Sequence, residues 1–220
     1  MTSDNLQLLR KQVATTARRL AAEGLLVGTA GNVSARLGDL VGVTGTGVVL
    51  EQCAPDDVSV VTMAGDLVGG TLVPSSETGL HLDLYAATAT AAVVHTHAPW
   101  ATAAACVLDE LPVLHYQQIL LGGTIRVAPY ASFGSPELAG HVVRALEDRQ
   151  AALMANHGSV AIGATLDKAL ENALLLEWLA ALHHRATALG TPHVLDADQQ
   201  EDVIVQAIRL GYGHTQEAVS

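Results

Sequence analysis

The sequence predicts a single α/β domain in which helices pack against a mixed, mainly antiparallel sheet. Half of the 220 residues are hydrophobic and the mean hydropathy is +0.32, so the chain can bury a sizeable core. Short hairpin patterns come first along the chain, and helical patterns then alternate with apolar strands. No repeat, low-complexity segment or long linker interrupts this order, so we expect one domain over residues 1–220.

The N-terminal third predicts one helix and two hairpins. Apolar residues recur at helical spacing over residues 4–23, and Gly24 is the expected C-cap. Residues 32–37 and 40–44 lie on either side of a Gly-Asp turn and alternate apolar with small or polar side chains, which predicts a hairpin. A second hairpin is expected to turn at residues 64–66, where small residues separate two apolar runs.

The rest of the chain predicts alternating helices and strands. Pro74 and the serines after it indicate a helix start, and the strand "AAVVHTH" comes next, followed by a short helix at Pro99. The remaining predicted elements are a helix in "LHYQQILLGG", a strand in "TIRVAPY", a helix in "SPELAGHVVRALEDR", two strands in "AALMANHGSVAIG", a long helix in "TLDKALENALLLEWLAALHHRATALG" and a tail helix over residues 197–210.

The charge and the cysteines disfavour several classes of protein. Eleven Lys and Arg stand against 22 Asp and Glu, which gives a net charge of −11, and no basic run occurs. We therefore expect no nucleic-acid partner, and an anionic substrate would need a local source of positive potential. Cys53 and Cys106 form no CxxC pair, which disfavours both a disulfide framework and a thiolate zinc site.

The sequence predicts neither a signal peptide nor a membrane span. The polar and apolar residues of the first helix alternate, so it lacks the uninterrupted apolar core of a signal peptide. No stretch of about 18 uncharged apolar residues occurs along the chain. We therefore expect a cytoplasmic protein that has no membrane partner.

Three of the ten histidines lie at the ends of predicted apolar strands: His95, His97 and His157. In a strand, residues i and i+2 project from the same face, so His95 and His97 would lie side by side. Neutral imidazoles are good zinc ligands, and three of them leave a fourth position open for substrate. On the residues alone, a metal site and two polar residues at a strand end remain equal alternatives. The other histidines, including His81 on a predicted helix, are expected at the surface or in the core.

One carboxylate and three turns are candidates for the rest of a site. Glu77, near a predicted helix start, could be a general base beside a metal or a carboxylate that interacts with the helix dipole. Backbone N–H groups and short hydroxyls could surround a phosphate without a formal cation, although the same residue types also form ordinary turns. The candidate phosphate-binding turns are Gly31-Asn32, Thr44-Gly45 and Ser75-Ser76.

Seven segments, taken in order, resemble the class II aldolase/adducin family, and most closely its L-fuculose-phosphate aldolase branch. They are "GTAGNVSAR", "VTGTG", "PSSETGLHLDLY", "VVHTHAPWATA", "LHYQQILLGG", "APYASFGSPELA" and "LMANHGSVAIG". The resemblance covers roughly residues 5–190, and several motifs in this order are far more specific than one HxH pair. It implies an α/β/α sandwich around an antiparallel sheet, assembled as a homotetramer with active sites between subunits.

The resemblance also implies roles for individual residues. His95, His97 and His157 match the zinc ligands, one Zn²⁺ per subunit, although another divalent metal could take its place. Glu77 matches the catalytic carboxylate, and the positions of the three turns match the phosphate-binding residues Gly31, Asn32, Thr44, Gly45, Ser75 and Ser76. Tyr116 matches a tyrosine that reaches a neighbouring subunit. Tyr212, in the tail helix region 191–220, resembles a C-terminal tyrosine that closes the site.

The implied activity is that of an aldehyde-lyase. It is the reversible cleavage of a ketose 1-phosphate, such as L-fuculose or 5-deoxyribulose 1-phosphate, to dihydroxyacetone phosphate and a small aldehyde. Family members that resemble this chain also include a methylthioribulose-phosphate dehydratase, pentulose-phosphate 4-epimerases, oxo-acid-phosphate decarboxylases and adducin-like heads without catalysis. Two positions favour the aldolases over the epimerases. The epimerases have an aspartate where this chain has Glu77, and they carry another aspartate close to the position of the Tyr116-Gln117-Gln118 segment. A zinc hydrolase that uses Glu77 to activate water is the alternative outside the family.

Overall fold

The computed structural model of the chain describes residues 3–211, which form six helices and nine strands. The helices are α1 (Ser3–Ala22), α2 (Thr78–Ala87), α3 (Pro99–Ala105), α4 (Pro136–Ala145), α5 (Leu166–Leu189) and α6 (Ala197–Leu210). The strands are β1 (Asn32–Leu37), β2 (Leu40–Thr44), β3 (Val58–Thr62), β4 (Leu67–Gly69), β5 (Ala92–Thr96), β6 (Glu110–Leu111), β7 (Ile125–Ala128), β8 (Ala151–Met154) and β9 (Gly158–Gly163). Short 3-10 helices cover Leu50–Gln52, Pro55–Asp57 and Tyr116–Leu121.

The nine strands form one mixed sheet in the order β4-β3-β2-β1-β5-β9-β8-β7-β6. The first four strands pair as an antiparallel meander, and β5 pairs antiparallel with both β1 and β9. Among the described strands, only β7 and β8 pair in parallel. The mixed and mainly antiparallel sheet expected from the sequence is therefore confirmed.

The sheet is buried on both faces, because helices cover each of them. One core contains apolar side chains of α1, α3 and α5, for example Val13, Ala101 and Leu176, and the other contains Leu84 of α2 and Val142 of α4. Successive residues of the central strands alternate between the two cores, as the period of a strand requires. This layering is the α/β/α sandwich that the resemblance implies.

Helix starts follow the capping signals in the sequence. The Ser135 hydroxyl accepts from the Leu138 N–H at 3.2 Å at the start of α4, where Pro136 occupies the first helical position. The side chains of Thr165 and Asp196 accept in the same way at the starts of α5 and α6. Each of these side chains pairs a backbone donor that would otherwise have no partner within the helix.

Four short segments differ from the sequence prediction. The "LHYQQILLGG" segment forms a 3-10 helix that ends at Gly122 in the left-handed conformation, φ +98°. The two-residue strand β6 and the turns at 50–52 and 55–57 carry no periodic pattern, since each is too short to show one. None of the described helices combines the length and the apolar character needed to cross a membrane.

Candidate active site

Three imidazoles converge beyond the end of β5. The ring centroids of His95, His97 and His157 lie 4.9–5.0 Å from one another, and the rings are nearly perpendicular in each pair. One nitrogen from each ring lies within 4.8 Å of the other two, and the Nε2 atoms of His95 and His97 are 3.1 Å apart. Three nitrogens bound to one zinc ion at about 2.1 Å are roughly 3.4 Å apart, so the rings need little movement to share an ion.

The backbone fixes the orientation of the first ring. His95 is buried in the sheet, and its Nδ1–H donates to the Ser159 carbonyl oxygen at 2.9 Å across the β5–β9 pair. Because Nδ1 carries that proton, Nε2 is the atom that faces His97 and the cavity. A hydrogen bond from the second ring nitrogen to a carbonyl is the usual support of a metal-binding histidine.

Two glycines allow the close packing of these segments. A Cβ atom on Gly158 would lie 2.3 Å from the Thr96 carbonyl oxygen, and one on Gly31 would lie 2.8 Å from the His95 carbonyl oxygen. Gly31 also has φ +89°, a conformation that side chains disfavour. Only glycine therefore lets the loops before β1 and β9 approach the end of β5.

Glu77 lies at the N-terminus of α2, with its side chain against the imidazoles. It is 6% exposed, with Oε2 3.1 Å from His95 Nε2 and Oε1 3.6 Å from His157 Nε2. Burial by itself raises the pKa of the carboxyl group, but the hydrogen bonds and charge of His95, the amide of Asn32 and the nearby His157 outweigh it. The pKa of Glu77 therefore lies well below its usual range.

The donor set fits a divalent cation such as zinc. Glu77 Oε1 is buried and has no hydrogen-bond partner among the described residues, and it is directed toward the imidazoles. Burial, together with the other imidazoles, lowers the pKa of His97 to about 4 and also lowers that of His157. Neutral imidazoles beside an unpaired buried carboxylate oxygen form a site that a cation would stabilise.

A cavity of about 320 Å³ opens from the imidazoles toward the predicted phosphate turns. Its walls include five of the six predicted phosphate-binding residues, namely Gly31, Asn32, Gly45, Ser75 and Ser76. Thr44 is 1% exposed and lies behind this wall, where its hydroxyl accepts from the Val33 N–H at 3.2 Å. The turns therefore meet in space, beside Glu77, His97 and His157 of the same cavity.

Hydrogen bonds hold these turns together and limit which groups can bind an anion. The Gly45 N–H donates to the Asp57 carbonyl oxygen, and the Ser75 N–H donates to the Thr44 carbonyl oxygen. The Ser75 hydroxyl accepts from the Glu77 N–H at 3.3 Å, so its own hydrogen is left to donate. Of the groups in these two hydrogen-bonded turns, the Ser75 hydroxyl is therefore the one that can still donate to an anion.

Tyr116 and the described part of the tail, residues 191–211, do not line this cavity of their own chain. Tyr116 begins the 3-10 helix and lines a separate groove with α6, and its ring lies 4.6 Å from that of His115. Helix α6 packs against the 3-10 helix, and none of its described residues lines the cavity. Tyr212 lies outside the described residues, so its predicted role stays a prediction.

Several residues of the cavity wall were not singled out in the sequence. Thr29, Thr46 and Asn156 lie close in sequence to residues that were predicted for the site. Their place in the same family motifs is the sequence signal that could have identified them. Tyr130 and Phe133 come from the loop between β7 and α4, and they are 65% and 71% exposed. Exposed aromatic residues in a loop carry no periodicity, so their position in the family-like segment "APYASFGSPELA" was the available signal.

Comparisons with known proteins agree with this geometry. The family model described as Class II Aldolase and Adducin N-terminal domain matches residues 11–184. A 5-methylthioribulose-1-phosphate/5-deoxyribulose-1-phosphate aldolase of Rhodospirillum rubrum is 39% identical over 198 residues, which is 89% of each chain. An L-fuculose phosphate aldolase of Escherichia coli is 36% identical over 93% of this chain and 95% of its own.

The likeness extends to a solved structure described as L-fuculose 1-phosphate aldolase. The two chains superpose with a TM-score of 0.87 at 31% identity, over 94% of this chain and 97% of the other. The match therefore includes the sheet, the helices on both faces and the strand ends that carry the imidazoles. On this evidence, the chain belongs to the class II aldolase and adducin N-terminal domain family.

Proposed function

We propose that this protein is a zinc-dependent aldolase that reversibly cleaves a ketose 1-phosphate to dihydroxyacetone phosphate and a small aldehyde. The observation that carries the proposal is the buried Glu77 carboxylate, which directs an unpaired oxygen toward three imidazoles at one end of a cavity lined by serines. Relatives that are 32–39% identical over about nine-tenths of the chain are named aldolases, which confirms the enzyme class expected from the sequence.

His95, His97 and His157 would hold the metal through one nitrogen each. A divalent cation at that position supplies positive charge beside the carbonyl-derived oxygen of the three-carbon unit, where negative charge develops during cleavage. Because the three ligands are neutral, the cation keeps its full charge. The three histidines would thereby position this charge next to the substrate oxygens, and no lysine is needed to form a Schiff base.

Glu77 is the proposed acid–base group. In the condensation direction, one carboxylate oxygen removes a proton from the carbon next to the carbonyl of dihydroxyacetone phosphate, and that carbon then forms the new bond to the aldehyde. In cleavage the same bond breaks, and the protonated carboxyl group returns its proton to the carbon. The low exposure of Glu77 keeps water away from this transfer.

The other end of the substrate fits the cavity wall. We assign the phosphate to the hydroxyl-lined part formed by Ser75, Ser76 and Gly45, where the loops leave space for an anion. No lysine or arginine is among the described residues that line the cavity, so neutral donors would bind the phosphate. The aldehyde part would then extend toward Tyr130 and Phe133.

We further propose that the enzyme is a homotetramer and that Tyr116 acts in the site of a neighbouring subunit. Tyr116 is 44% exposed and lies beside α6, whose apolar residues are exposed in the single chain. There its hydroxyl would exchange a proton with the aldehyde oxygen. Because a charged sugar phosphate does not cross a membrane unaided, we place this reaction in the cytoplasm.

The names of two relatives support three sugar phosphates as candidate substrates. The 39% identical relative is named for 5-methylthioribulose and 5-deoxyribulose 1-phosphates, and the 36% identical relative for L-fuculose phosphate. All three substrates share the phosphorylated three-carbon end and differ in the aldehyde. We therefore propose this group of ketose 1-phosphates as the substrate class.

A product assay tests the proposal. The zinc-loaded protein is incubated with each of the three ketose 1-phosphates, and dihydroxyacetone phosphate is measured by enzymatic reduction coupled to NADH oxidation. We expect release of dihydroxyacetone phosphate from at least one sugar and none after the metal is removed with a chelator. Loss of water or inversion at C4, without this product, would contradict the proposal and indicate a dehydratase or an epimerase.

A further inference from the structure

A buried chain of hydrogen bonds lies behind Glu77, on the side away from the cavity. His81 Nε2 lies 2.5 Å from Asn32 Oδ1, and Asn32 Nδ2 lies 2.9 Å from Glu77 Oε2. On its other side, His81 Nδ1 lies 2.6 Å from Ser34 Oγ, which is also 2.6 Å from the Tyr85 hydroxyl. Three side chains, those of Ser34, His81 and Asn32, therefore connect the Tyr85 phenol to the proposed acid–base carboxylate.

Two elements build this chain. Asn32 and Ser34 project from the same face of β1, because they are two residues apart in a strand. His81 and Tyr85 lie one turn apart on α2, on the side that packs against the sheet. Helix α2 begins directly after Glu77, so the Glu77 backbone leads into this helix. The hydrogen bonds link the Glu77 side chain to residues of both β1 and α2.

Burying these polar groups has a free-energy cost that a purely structural contact would not require. His81 and Ser34 are 0% exposed, among apolar neighbours such as Leu84. Burying polar groups in such surroundings is unfavourable unless each is hydrogen-bonded, and apolar side chains of similar size would pack there without that requirement. The chain ends at Glu77, the one carboxylate among the described residues that has a buried oxygen without a hydrogen-bond partner.

The charge of Glu77 fixes the direction of every hydrogen bond in the chain. An ionised carboxylate only accepts, so Asn32 must present its amide hydrogen to Oε2 and its carbonyl oxygen to His81. His81 must then donate from Nε2, which leaves Nδ1 as an acceptor for the Ser34 hydroxyl. The Ser34 oxygen in turn accepts from the Tyr85 hydroxyl.

We propose that His81 is a positioning residue whose Nε2–H orients the Asn32 amide, and through it the Glu77 carboxylate, so that Glu77 Oε1 faces the metal site and the substrate carbon. The inference rests on the proposed role of Glu77 in the reaction. His81 contacts neither the cavity nor the imidazoles through a hydrogen bond in the described structure. Burial lowers the pKa of His81 to about 3, so the ring remains a neutral, single-proton donor.

A matched pair of amide variants tests the orientation. The amide of Gln extends to about the position of Nε2 in histidine, whereas the amide of Asn extends only to that of Nδ1. We expect His81→Asn to lower kcat at least about 10-fold, with KM within about 3-fold of the wild type, because the proton transfer depends on the carboxylate position. His81→Gln should restore kcat to within about 3-fold.

A stability control separates orientation from general damage. Asn172 on α5 donates a buried hydrogen bond to the Ile162 carbonyl oxygen at 2.8 Å and has no link to Glu77. Asn172→Ala should lower the midpoint of thermal unfolding while kcat stays within about 2-fold of the wild type, since it removes one buried hydrogen bond. All variants are compared at full zinc occupancy, measured by elemental analysis.

Neutron diffraction from crystals of the deuterated, zinc-loaded protein provides a readout that needs no activity. We expect deuterium on His81 Nε2 and not on Nδ1, and the Ser34 deuterium directed toward Nδ1. Deuterium on Nδ1, or on both nitrogens, would overturn the proposal. Equal kcat for His81→Asn and the wild type would overturn it as well, as would a loss confined to KM.

The two proposals fail separately. If the wild-type protein released no dihydroxyacetone phosphate, the aldolase proposal would fail while the neutron result still reported on His81. If the wild-type protein cleaved its substrate and His81→Gln and His81→Asn were equally active, the positioning role would fail and the aldolase proposal would stand. If His81→Asn did not fold, His81→Gln and the neutron map would decide.

Discussion

At the residue scale, Glu77 combines two properties that oppose each other. A buried carboxylate is easier to protonate, yet the hydrogen bonds and charges around Glu77 hold its pKa well below the usual range. Those partners are the same imidazoles that would bind the metal. Glu77 is therefore ionised and shielded from solvent, which is the state required to remove a proton from carbon.

Replacement of Glu77 by glutamine should abolish turnover and leave the fold unchanged. Glu77→Gln keeps a side chain that accepts from Asn32, but it cannot take a proton. We expect the exchange of the reacting proton of dihydroxyacetone phosphate with solvent to fall by about 10²–10⁴-fold. The exchange is followed by NMR in heavy water.

The control for this variant is Glu171→Gln, which makes the same chemical change at an exposed side chain of α5. Its exchange rate should match that of the wild type. Both variants should retain one zinc ion per chain by elemental analysis. A Glu77→Gln protein that exchanged the proton at the wild-type rate would remove the acid–base assignment.

The stability of the metal-free protein should depend on pH through His81. Burial lowers its pKa from 6.5 to about 3, so the unfolded chain binds a proton in this range that the folded chain does not. The stabilising contribution is fully present above pH 6.5 and is lost as the pH falls toward 3. The slope is at most about 1.4 kcal/mol per pH unit.

Urea unfolding at pH 6.5, 5.5 and 4.5, with a chelator present, measures this slope. His97, whose pKa is lowered to about 4, adds a contribution of the same sign. His81→Gln removes only the His81 contribution, so its slope should be smaller by up to about 1.4 kcal/mol per pH unit. Identical slopes for the two proteins would show that His81 titrates normally in the folded state.

How far single residues could be predicted depended on their spacing. His95 and His97 are two apart on a strand, so their shared direction follows from the period of the strand. His157 comes close to His95 and His97 because β5 pairs with β9. No local sequence pattern reveals this pairing, so only the resemblance to the family motifs assigned His157 to the site. Asn32 was predicted as a phosphate-binding residue, and its hydrogen bonds to Glu77 and His81 became visible only in the fold.

At the element scale, the site depends on how closely three chain segments approach the end of β5. Gly158 lies against Thr96, between two proposed metal ligands, and a Cβ atom there would come within 3.3 Å of the His97 ring. Gly134 likewise lets the loop before α4 approach the Ser76 carbonyl oxygen. These contacts connect the ends of the elements rather than their middles.

Gly158→Ala should therefore impair metal binding more than a typical surface change. The added methyl group would force apart Thr96 and the start of β9, and such overpacking destabilises a protein by about 1–3 kcal/mol. We expect zinc affinity to fall by about 10–100-fold, because the support of the ligands moves. Competition with a chromogenic chelator measures the affinity.

Gly140→Ala is the matched control for this substitution. Gly140 lies on α4, where a Cβ atom would have its nearest contact 3.6 Å away, at the Arg144 side chain. Alanine should raise helix stability by up to about 1 kcal/mol and leave zinc affinity unchanged. Equal zinc affinities for the two alanine variants would argue against the role of Gly158.

Most elements were predictable because their patterns are local. The β1–β2 hairpin and α6 were predicted at the residues where they occur, since a turn and a capping residue mark their ends. The order of strands in the sheet was not predictable in this way. It places β5 between β1 and β9, which are distant in sequence and are held together by packing.

At the scale of the whole molecule, α6 has an apolar face that the single chain leaves exposed. This face consists of Ile204, Val205 and Ile208. No described residue of α6 is buried, although the helix is amphipathic. An exposed helix face of this kind is typical of a surface that is covered by another subunit.

Ile208→Glu should weaken the proposed tetramer. The substitution places a charge at a residue that is 77% exposed in the single chain and would be buried in an interface. We expect light scattering to show four chains for the wild type and fewer for the variant. Activity per chain should fall with the loss of assembly, since Tyr116 would no longer reach a neighbouring site.

Val107→Glu is the control, because it adds the same charge at an exposed apolar residue outside α6. Its mass in solution and its activity should equal those of the wild type. A wild-type protein that was monomeric and fully active would rule out the proposed assembly. The sequence alone did not predict which surface is shared, since a helix pattern shows an apolar face but not the neighbour that covers it.

The position of Tyr130 and Phe133 has a consequence for how such an enzyme changes over time. Both side chains belong to the cavity wall, yet both lie outside the two cores. If the aldehyde part of the substrate extends toward them, as proposed, mutations at these two sites would alter which sugar is accepted while the core and Glu77 stay unchanged. Selectivity would then be separate from reactivity, and new substrates could be acquired by small steps without passing through an inactive ancestor.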